Sequence, residues 1–252
     1  MAASRRTGAT QRSAIAPETL TELNAGRLET ATLAEGLAID FAQLLHAVAP
    51  EASAEALDMH GGVTQRMAES GRLLLAHYGS SGIARFATHN ADTVRGWAAY
   101  MIAAMPDISL DQRLMLIRPL ADDPHFAVRE WAWLALRPHL AADIGAAIDK
   151  LVAWTTDSAP NLRRFAVEST RPRGVWCVHI GTLKQQPHLG LPLLTPLRAD
   201  PSRYVQDSVA NWLNDAAKSQ PAWVRSLCDA WQATSDAAAT KRICARALRS
   251  LK

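Results

Sequence analysis

The chain has 252 residues, of which 48% are hydrophobic, so it can bury one large core or two small ones. Its formal net charge of +3 permits an anionic partner without requiring one. No run of about 18 apolar residues predicts a membrane span, and the first residues lack the apolar run of a secretory signal. Composition therefore favours a globular protein that acts away from membranes.

The cysteines are odd in number and widely separated, at Cys177, Cys228 and Cys244. This usage is typical of reduced thiols in a cytosolic protein, and we expect a bacterial cytosolic location. Neither the cysteines nor the eight histidines have the spacing of a metal site. The sequence predicts no metal and no cofactor.

Two N-terminal regions precede a more regular part of the chain. Residues 1–16 are rich in Ser, Thr, Ala and Arg without apolar periodicity, which predicts a flexible basic tail. Residues 17–82 have apolar residues at helical intervals and predict helices. One predicted helical face consists of Leu33, Leu37, Phe41, Leu44, Leu45 and Val48. A further helical stretch runs through Ala54–Leu57, resumes after Gly61 and Gly62, and ends at the GSSG of residues 79–82.

From about residue 83 the sequence repeats itself. Each copy is aligned on one apolar anchor, and the anchors are Val94, Val128, Leu162 and Val205, with a weaker fifth copy at Thr240–Cys244. The first three anchors are 34 residues apart and the next interval is 43 residues. An apolar stretch precedes the later copies, at Leu114–Leu120, Ile144–Trp154 and Leu189–Leu197. Helix–turn–helix units of this period predict an all-α solenoid of HEAT-like repeats over residues 83–252, within a single domain of residues 17–252.

An aspartate and a proline precede three of the anchors. Asp123, Asp157 and Asp200 each lie five residues before an anchor, where a carboxylate can cap the following helix. The nearby prolines, Pro124, Pro160 and Pro201, are expected in the first turn of those helices. The second helices of such repeats line one concave face, so equivalent residues should form a row. The residues two after each anchor are Gly96, Glu130, Arg164 and Asp207.

The segment Asn161–Trp176, NLRRFAVESTRPRGVW, stands out in this array. It places four arginines around one acid, Glu168, and ends on Trp176. Arginines around a carboxylate, beside an indole, suit a surface that holds phosphates and stabilises a nearby cation. A solvated stripe of salt bridges is the competing interpretation.

Several runs resemble a known family. They are DDPHFAVREWAWLALRP, PNLRRFAVESTRPRGVW, DPSRYVQDSVANWLNDAAK and the N-terminal ETATLAEGLAIDFAQLL. These runs resemble the HEAT-like DNA alkylation-repair glycosylases, specifically the AlkC branch, over roughly residues 17–250. The chain ends at Lys252 without the immunoglobulin-like domain of some AlkC members, which predicts a short form. It also lacks the Trp-Trp-Asp-x-x-Asp block typical of the sister AlkD branch.

The resemblance implies a monofunctional glycosylase of base excision repair. It would hydrolyse the N-glycosidic bond of cationic N-alkylated bases such as 3-methyladenine and, in the AlkC branch, 1-methyladenine and 3-methylcytosine. Its partner would be double-stranded DNA, which such enzymes bend without a deep base-flipping pocket. We expect a monomer that binds no membrane.

Three carboxylates are the candidates for stabilising positive charge on the deoxyribose and for orienting water. Glu168 and Asp207 come first and Glu130 third, because the resemblance places these segments at the AlkC cleft. Each has a plain structural alternative. Glu130 can pair with Arg129 or Arg137, Glu168 can clamp Arg164 and Arg171, and Asp207 can head a solvated helix face.

Aromatic and basic candidates complete the predicted site. Trp176 is expected in the cleft through a cation–π contact, because it follows a turn and belongs to no apolar stripe. Trp133 and Trp212 are further possible cleft aromatics. The predicted phosphate ligands are Arg163, Arg164, Arg171, Arg173, Lys184 and Arg203. A HEAT-like module that binds DNA or protein without catalysis is the alternative function, since fold alone does not decide between them.

Overall fold

The structure is a computed structural model that describes residues 6–52 and 61–251. Fifteen α-helices lie in these ranges, and no strand occurs within them. The helices are α1 (Pro17–Asn24), α2 (Leu33–Ala38), α3 (Phe41–Val48), α4 (Val63–Tyr78), α5 (Ile83–Ala87), α6 (Asp92–Ala104), α7 (Leu110–Ala121), α8 (Phe126–Ala142), α9 (Ile144–Leu151), α10 (Pro160–Glu168), α11 (Gly181–Gln185), α12 (Leu191–Leu194), α13 (Arg203–Ala217), α14 (Pro221–Ala233) and α15 (Ala238–Ala247). The predicted all-α class is confirmed. None of the described helices is long and apolar enough to cross a membrane.

The chain divides into two compact units. The first, the N-terminal unit, comprises Met1–Ser109 and Met115–Ala135, and the second, the C-terminal unit, comprises Leu110–Leu114 and Leu136–Lys252. In the N-terminal unit, α4 and α5 pack on α6, and α1 packs on α3. In the C-terminal unit, α13 packs against α10, α14 and α15.

The repeats are confirmed as helices with buried anchors. Val94, Val128, Leu162 and Val205 are at most 3% exposed and lie in α6, α8, α10 and α13 respectively. The fifth copy, Thr240–Cys244, lies within α15. The stretches before the anchors form α7, then α9 with a 3-10 extension, and finally the short α12 after a 3-10 turn. Each copy therefore contains the expected pair of helical segments.

The residue after each anchor has the same backbone partners in successive repeats. Arg95, Arg129 and Arg163 each donate to the carbonyls five and six residues earlier, at 2.7–3.0 Å. In the fourth copy Gln206 makes the bond to the carbonyl six residues earlier, at 2.8 Å. This shared residue, which we call the anchor-plus-one residue, folds the turn before each helix back onto the helix.

The predicted aspartate caps hold turns and do not cap helices. Asp123, Asp157 and Asp200 each accept the backbone N–H two residues later, at 2.7–2.9 Å, and the helices begin further on. Pro160 is the first residue of α10 as predicted, but Pro124 and Pro201 lie two residues before their helices. Asp123 also accepts hydrogen bonds from Arg95 through both carboxylate oxygens, and Asp200 accepts them from Arg163 in the same way. The aspartates thus join one repeat to the next within each unit.

The N-terminal part departs from the sequence prediction in one place. Leu33–Val48 forms two helices, because the side chain of Asp40 caps α3 by accepting the N–H groups of Ala42 and Gln43. Leu33 consequently lies 52% exposed, off the predicted apolar face. The helix after Gly62 ends at Tyr78 as predicted, where Gly79 takes a φ of +63°.

Two predicted segments extend beyond the described residues. Residues 1–5 of the predicted tail and the stretch Ala54–Leu57 lie outside them. Within the described part of the tail, Arg6 forms an ion pair with the buried Glu35 at 2.6 Å. Residues Arg12–Ala14 form a 3-10 turn. This part of the tail is packed against the N-terminal unit.

Candidate functional site

The carboxylate of Glu168 lies at the end of α10 inside the C-terminal unit. It is 3% exposed, and both of its oxygens are bonded. Oε1 accepts Arg171 Nη1 at 2.5 Å, and Oε2 accepts Ser208 Oγ at 2.6 Å. Arg164 Nη2 lies 3.8 Å from Oε2. The clamp expected as the alternative for Glu168 is therefore what the geometry provides.

Arg171 connects Glu168 to a second buried carboxylate. Its Nε and Nη2 both lie 2.8 Å from Asp215 Oδ2 on α13. Burial raises the pKa of Glu168, but the charges of Arg164 and Arg171 and the bonds from Ser208 and Arg171 outweigh it, so the pKa of Glu168 lies below its usual value. Burial disfavours the charge on Arg171, yet Glu168 and Asp215 raise its pKa overall. Glu168 and Arg171 are therefore both ionised, and their cluster is enclosed by the protein.

Asp207 on α13 is a more accessible carboxylate of the C-terminal unit than Glu168. Its side chain is 38% exposed, because position 207 points away from the buried face of α13. Two arginines of α15 hold it: Arg242 Nη2 lies 2.6 Å and Arg246 Nε 3.1 Å from Oδ1. Among the described residues, both ion pairs go to Oδ1, which leaves Oδ2 for another partner. Asp207 can therefore face a cation or a water molecule while its orientation is fixed.

Glu130 lies on α8 in the N-terminal unit and is half-buried. Its Oε2 accepts the indole Nε1–H of Trp133, one turn along the same helix, at 2.8 Å. Trp133 itself is only 4% exposed. The indole thus orients the carboxylate and is not itself open to a ligand.

Trp176 lies in the turn that follows α10. Its side chain is 44% exposed, between the exposed Val175 and Val178. Its φ is +61°, in the left-handed region that side chains other than glycine seldom adopt. A strained residue that exposes an aromatic ring is a frequent feature of functional sites.

The interpretation of Trp212 as a cleft aromatic is wrong. Trp212 is fully buried in α13, and its Nε1 donates to the carbonyl of Thr170 at 3.0 Å. A side chain at Gly190 would overlap its ring, so the packing around the indole is tight. The helical spacing that left Trp133 and Trp212 ambiguous reflects core positions.

Two of the predicted phosphate ligands are already bonded to groups within the protein. Arg163 is the anchor-plus-one residue of its repeat, with Asp200 and two carbonyls as partners. Arg171 is occupied by Glu168 and Asp215. Both arginines satisfy buried acceptors, and a phosphate would have to displace those acceptors.

The remaining basic candidates differ in accessibility. Arg203 is exposed at the first turn of α13, and Lys184 in α11 is half-buried. Arg173 bonds Ser219 Oγ at 2.7 Å through Nη2. Arg164 is 8% exposed, with its guanidinium carbon 4.3 Å from the ring centre of Tyr204. Arg173, Lys184 and Arg203 are the three that a phosphate can reach most readily.

Some residues of these clusters were not predicted as site residues. They are Ser208, Asp215, Arg242 and Arg246. The weak fifth repeat copy was a signal for two of them. Arg242 lies within that copy, and Arg246 follows one helical turn later. Ser208 is adjacent to Asp207, and Asp215 belongs to the polar stripe that Asp207 begins, for which a solvated helix face is the alternative interpretation. Among the described residues, no group of three His, Cys, Asp or Glu side chains could hold a metal ion.

Comparison with known proteins gives both sequence and structural neighbours. No family model matches the chain. The protein YhaZ of Bacillus subtilis is 42% identical over 100 residues, which are 40% of this chain and 28% of YhaZ. The alkylpurine DNA glycosylase AlkC of Pseudomonas fluorescens, solved with DNA containing an abasic site analog, is 28% identical with a TM-score of 0.64. That match covers 83% of this chain and 60% of the AlkC chain.

A second solved structure agrees with the first. AlkD2 of Streptococcus mutans is 21% identical with a TM-score of 0.59, covering 77% of this chain and 92% of AlkD2. The chain is thus similar to AlkC and, in its fold, to AlkD2. The match to AlkC confirms the resemblance inferred from the arginine-rich block and the repeats, and with it the HEAT-like α-solenoid class. The chain spans less than two thirds of the length of AlkC and of YhaZ.

Proposed function

We propose that this protein is a DNA glycosylase that removes cationic N-alkylated bases from double-stranded DNA in base excision repair. The observation that carries the proposal is Asp207, an accessible carboxylate fixed by Arg242 and Arg246. It occurs in a chain that is similar to AlkC, an alkylpurine DNA glycosylase solved with DNA. A module that only binds DNA gains nothing from a carboxylate among its basic residues, because the negative charge of the carboxylate repels phosphates.

The alkylated base needs little activation to leave, whereas the positive charge that develops on the deoxyribose needs stabilisation. An alkylated base that carries a positive charge departs as a neutral molecule when the bond from C1′ to its nitrogen breaks. Positive charge then develops on the deoxyribose, and water forms the new C1′–O bond and loses a proton. A preorganised carboxylate stabilises the charged sugar and can orient the water or accept its proton. We assign that role first to Asp207.

The other two predicted carboxylates receive different roles. Glu130 is half-buried and oriented by Trp133, so it remains a candidate carboxylate of the N-terminal unit. Glu168 has both oxygens bonded and is 3% exposed. We therefore place Glu168 behind the reacting groups, where it holds Arg171 and so supports the turn that carries Trp176.

Trp176 and the accessible basic residues are proposed to contact the DNA. The exposed indole can pack on the sugar or the cationic base, a contact worth about 0.5–2 kcal/mol. Arg173, Lys184 and Arg203 are proposed to bind phosphates, which position the duplex without reading its sequence. Bending of duplex DNA costs on the order of several kcal/mol, and phosphate contacts offset that cost.

The proposed substrates follow the AlkC resemblance. They are 3-methyladenine first and then 1-methyladenine and 3-methylcytosine. Each of these methylated bases carries a positive charge while it is attached to the deoxyribose. We further propose that the protein acts as a monomer in the cytosol and handles the lesion without a base-flipping pocket.

The decisive measurement is release of free base from duplex DNA that carries a single 3-methyladenine, with protein in excess. We expect release by the wild-type protein and a large loss with Asp207→Asn, which has the same size without the charge. DNA binding without base release by the wild-type protein, for all three lesions, would instead support a non-catalytic binding module. The same experiment with 1-methyladenine and 3-methylcytosine establishes the substrate range.

A further inference from the structure

A buried arginine holds the turn that presents Trp176. Arg137, on α8, donates to three backbone carbonyls of residues 169–178. Nη1 bonds the carbonyl of Ser169 at 2.9 Å, Nη2 that of Arg171 at 2.6 Å, and Nε that of Val178 at 3.2 Å. The guanidinium therefore joins the start of the turn to its end. All four residues belong to the C-terminal unit.

Arg137 is inaccessible to any substrate. It is 2% exposed, and burial lowers its pKa from the ordinary value. An arginine stays protonated even so, and a buried charge is costly unless fixed polar groups surround it. The planar fork of the guanidinium accepts only a narrow set of carbonyl positions. The charge of Arg137 thus restricts the path of the turn.

The backbone passes close over this guanidinium. A Cβ at Gly174 would overlap Sγ of Cys177 and lie 3.6 Å from Cζ of Arg137. A side chain at this position would require Cys177 to change its rotamer or the turn to move. The bond from Ile180 N–H to the carbonyl of Pro172, at 3.1 Å, closes the turn further.

The turn carries Trp176 and Arg173, which are proposed above to contact the DNA. Arg171 reaches Glu168 and Asp215 from one end of it, and Arg173 lies in the middle. Trp176 follows with a φ of +61° and an exposed indole. A strained, exposed residue keeps its place only when neighbouring contacts determine its backbone. Among the described contacts, those of Arg137 span both sides of Trp176.

We propose that Arg137 is a positioning residue of the glycosylase. It touches neither DNA nor the reacting atoms, and it fixes the backbone from Ser169 to Val178 so that Trp176 is presented at the lesion. The role rests on the proposed function, whereas the tether itself is a property of the fold.

The first arm of the test compares rate with affinity. Arg137→Met should slow base release under single-turnover conditions on the order of 100-fold, the effect of misplacing a group by about 1 Å, while affinity for undamaged duplex falls no more than in Arg173→Ala, which removes the phosphate contact proposed for the turn. Arg137→Lys should recover part of the rate, because an ammonium group can donate to some of the same carbonyls. The matched control is Arg95→Met, which removes another buried arginine bound to two carbonyls.

A double variant separates positioning from general stability. In the background Trp176→Ala, the change Arg137→Lys should cause no further loss of rate, because the group that Arg137 positions is already absent. Additive losses in the double variant would overturn the proposal. Arg137→Lys serves in this arm so that the result does not depend on the folding of Arg137→Met.

The second arm needs no catalysis. Trypsin can cleave after Arg173 but not after Arg171, because Pro172 follows. We expect rapid cleavage between Arg173 and Gly174 in the Arg137 variants and protection in the wild type and in Arg95→Met. Equal protection in all of them would overturn the tether. If the wild type releases no base, the proposed function fails, and the cleavage pattern still decides whether Arg137 holds the turn.

Discussion

Two carboxylates of the C-terminal unit are each held by arginines, yet their surroundings differ. Glu168 is 3% exposed, and its two oxygens are bonded to Arg171 and Ser208. The Asp207 side chain is 38% exposed, and both of its ion pairs go to one oxygen. The same residue types thus form a closed structural cluster at one place and an open, oriented carboxylate at the other. Accessibility, and not charge pairing, separates the two roles.

The largest effect should come from Asp207→Asn. This change removes the charge from the open carboxylate and should slow base release roughly 100- to 1,000-fold. Melting temperature should stay close to that of the wild type, because exposed ion pairs contribute little to stability. Single-turnover kinetics and thermal unfolding measure the two quantities. A full rate with Asp207→Asn would mean that the open carboxylate is not the catalytic one.

Glu168→Gln should show the opposite pattern. Breaking a buried ion pair leaves its partner uncompensated, so the free energy of unfolding should fall by about 3 kcal/mol at neutral pH. The pKa of Glu168 is lowered in the folded protein, so its stabilisation is complete above the ordinary value of 4.5 and is lost as the pH falls through the folded pKa.

The difference between wild type and Glu168→Gln should therefore be constant near neutral pH and shrink in acid. Denaturant unfolding at a series of pH values measures it. A difference that grows as the pH falls would contradict the assigned state of Glu168.

The comparison extends to the arginines. Arg203→Ala should reduce the slope of log affinity against log salt for undamaged duplex by about 0.9, the value for one lost phosphate contact. Arg163→Met should leave that slope unchanged, since Asp200 and two carbonyls already occupy its guanidinium. Titrations by fluorescence anisotropy at several salt concentrations provide both slopes. Equal slopes for the two variants would remove the distinction between open and enclosed arginines.

The smallest change in stability is expected for Trp176→Gly. The indole is half-exposed, and its removal costs little contact energy. Glycine relieves the left-handed backbone, which costs other residues about 1–2 kcal/mol. The free energy of unfolding should therefore change by less than about 1 kcal/mol, although base release should fall. A large loss of stability in denaturant unfolding would mean that Trp176 is a packing residue.

The repeats were predictable because their signal is local and recurs. The anchors Val94, Val128 and Leu162 keep a 34-residue interval, and each is buried in a helix. The break at Asp40 was missed, because apolar spacing continues across it while the side chain caps a new helix. Apolar periodicity reports which face is buried and is less informative about where one helix ends and the next begins.

The candidate site could be predicted in its residue types and less so in its contacts. The sequence singled out Glu168, Asp207 and Trp176 as candidates but ranked the enclosed carboxylate together with the open one. Exposure depends on which residues of other helices cover a side chain, and Ser208 carries no distinctive pattern. Arg137 lies 32 residues or more from the carbonyls it binds, so no local spacing indicates the contact.

The pairing of Arg95 with Asp123 and of Arg163 with Asp200 has a consequence for how such chains can grow. Each of these repeats carries an aspartate on one side and an arginine on the other, so a duplicated 34-residue segment brings its own matching partner. The Arg163–Asp200 pair forms across the longer 43-residue interval, so residues added between an arginine and the next aspartate do not break the pairing. Gain or loss of a whole repeat and insertion within an interval both keep the pairs, whereas loss of one partner alone would leave the other charge buried without its counterpart.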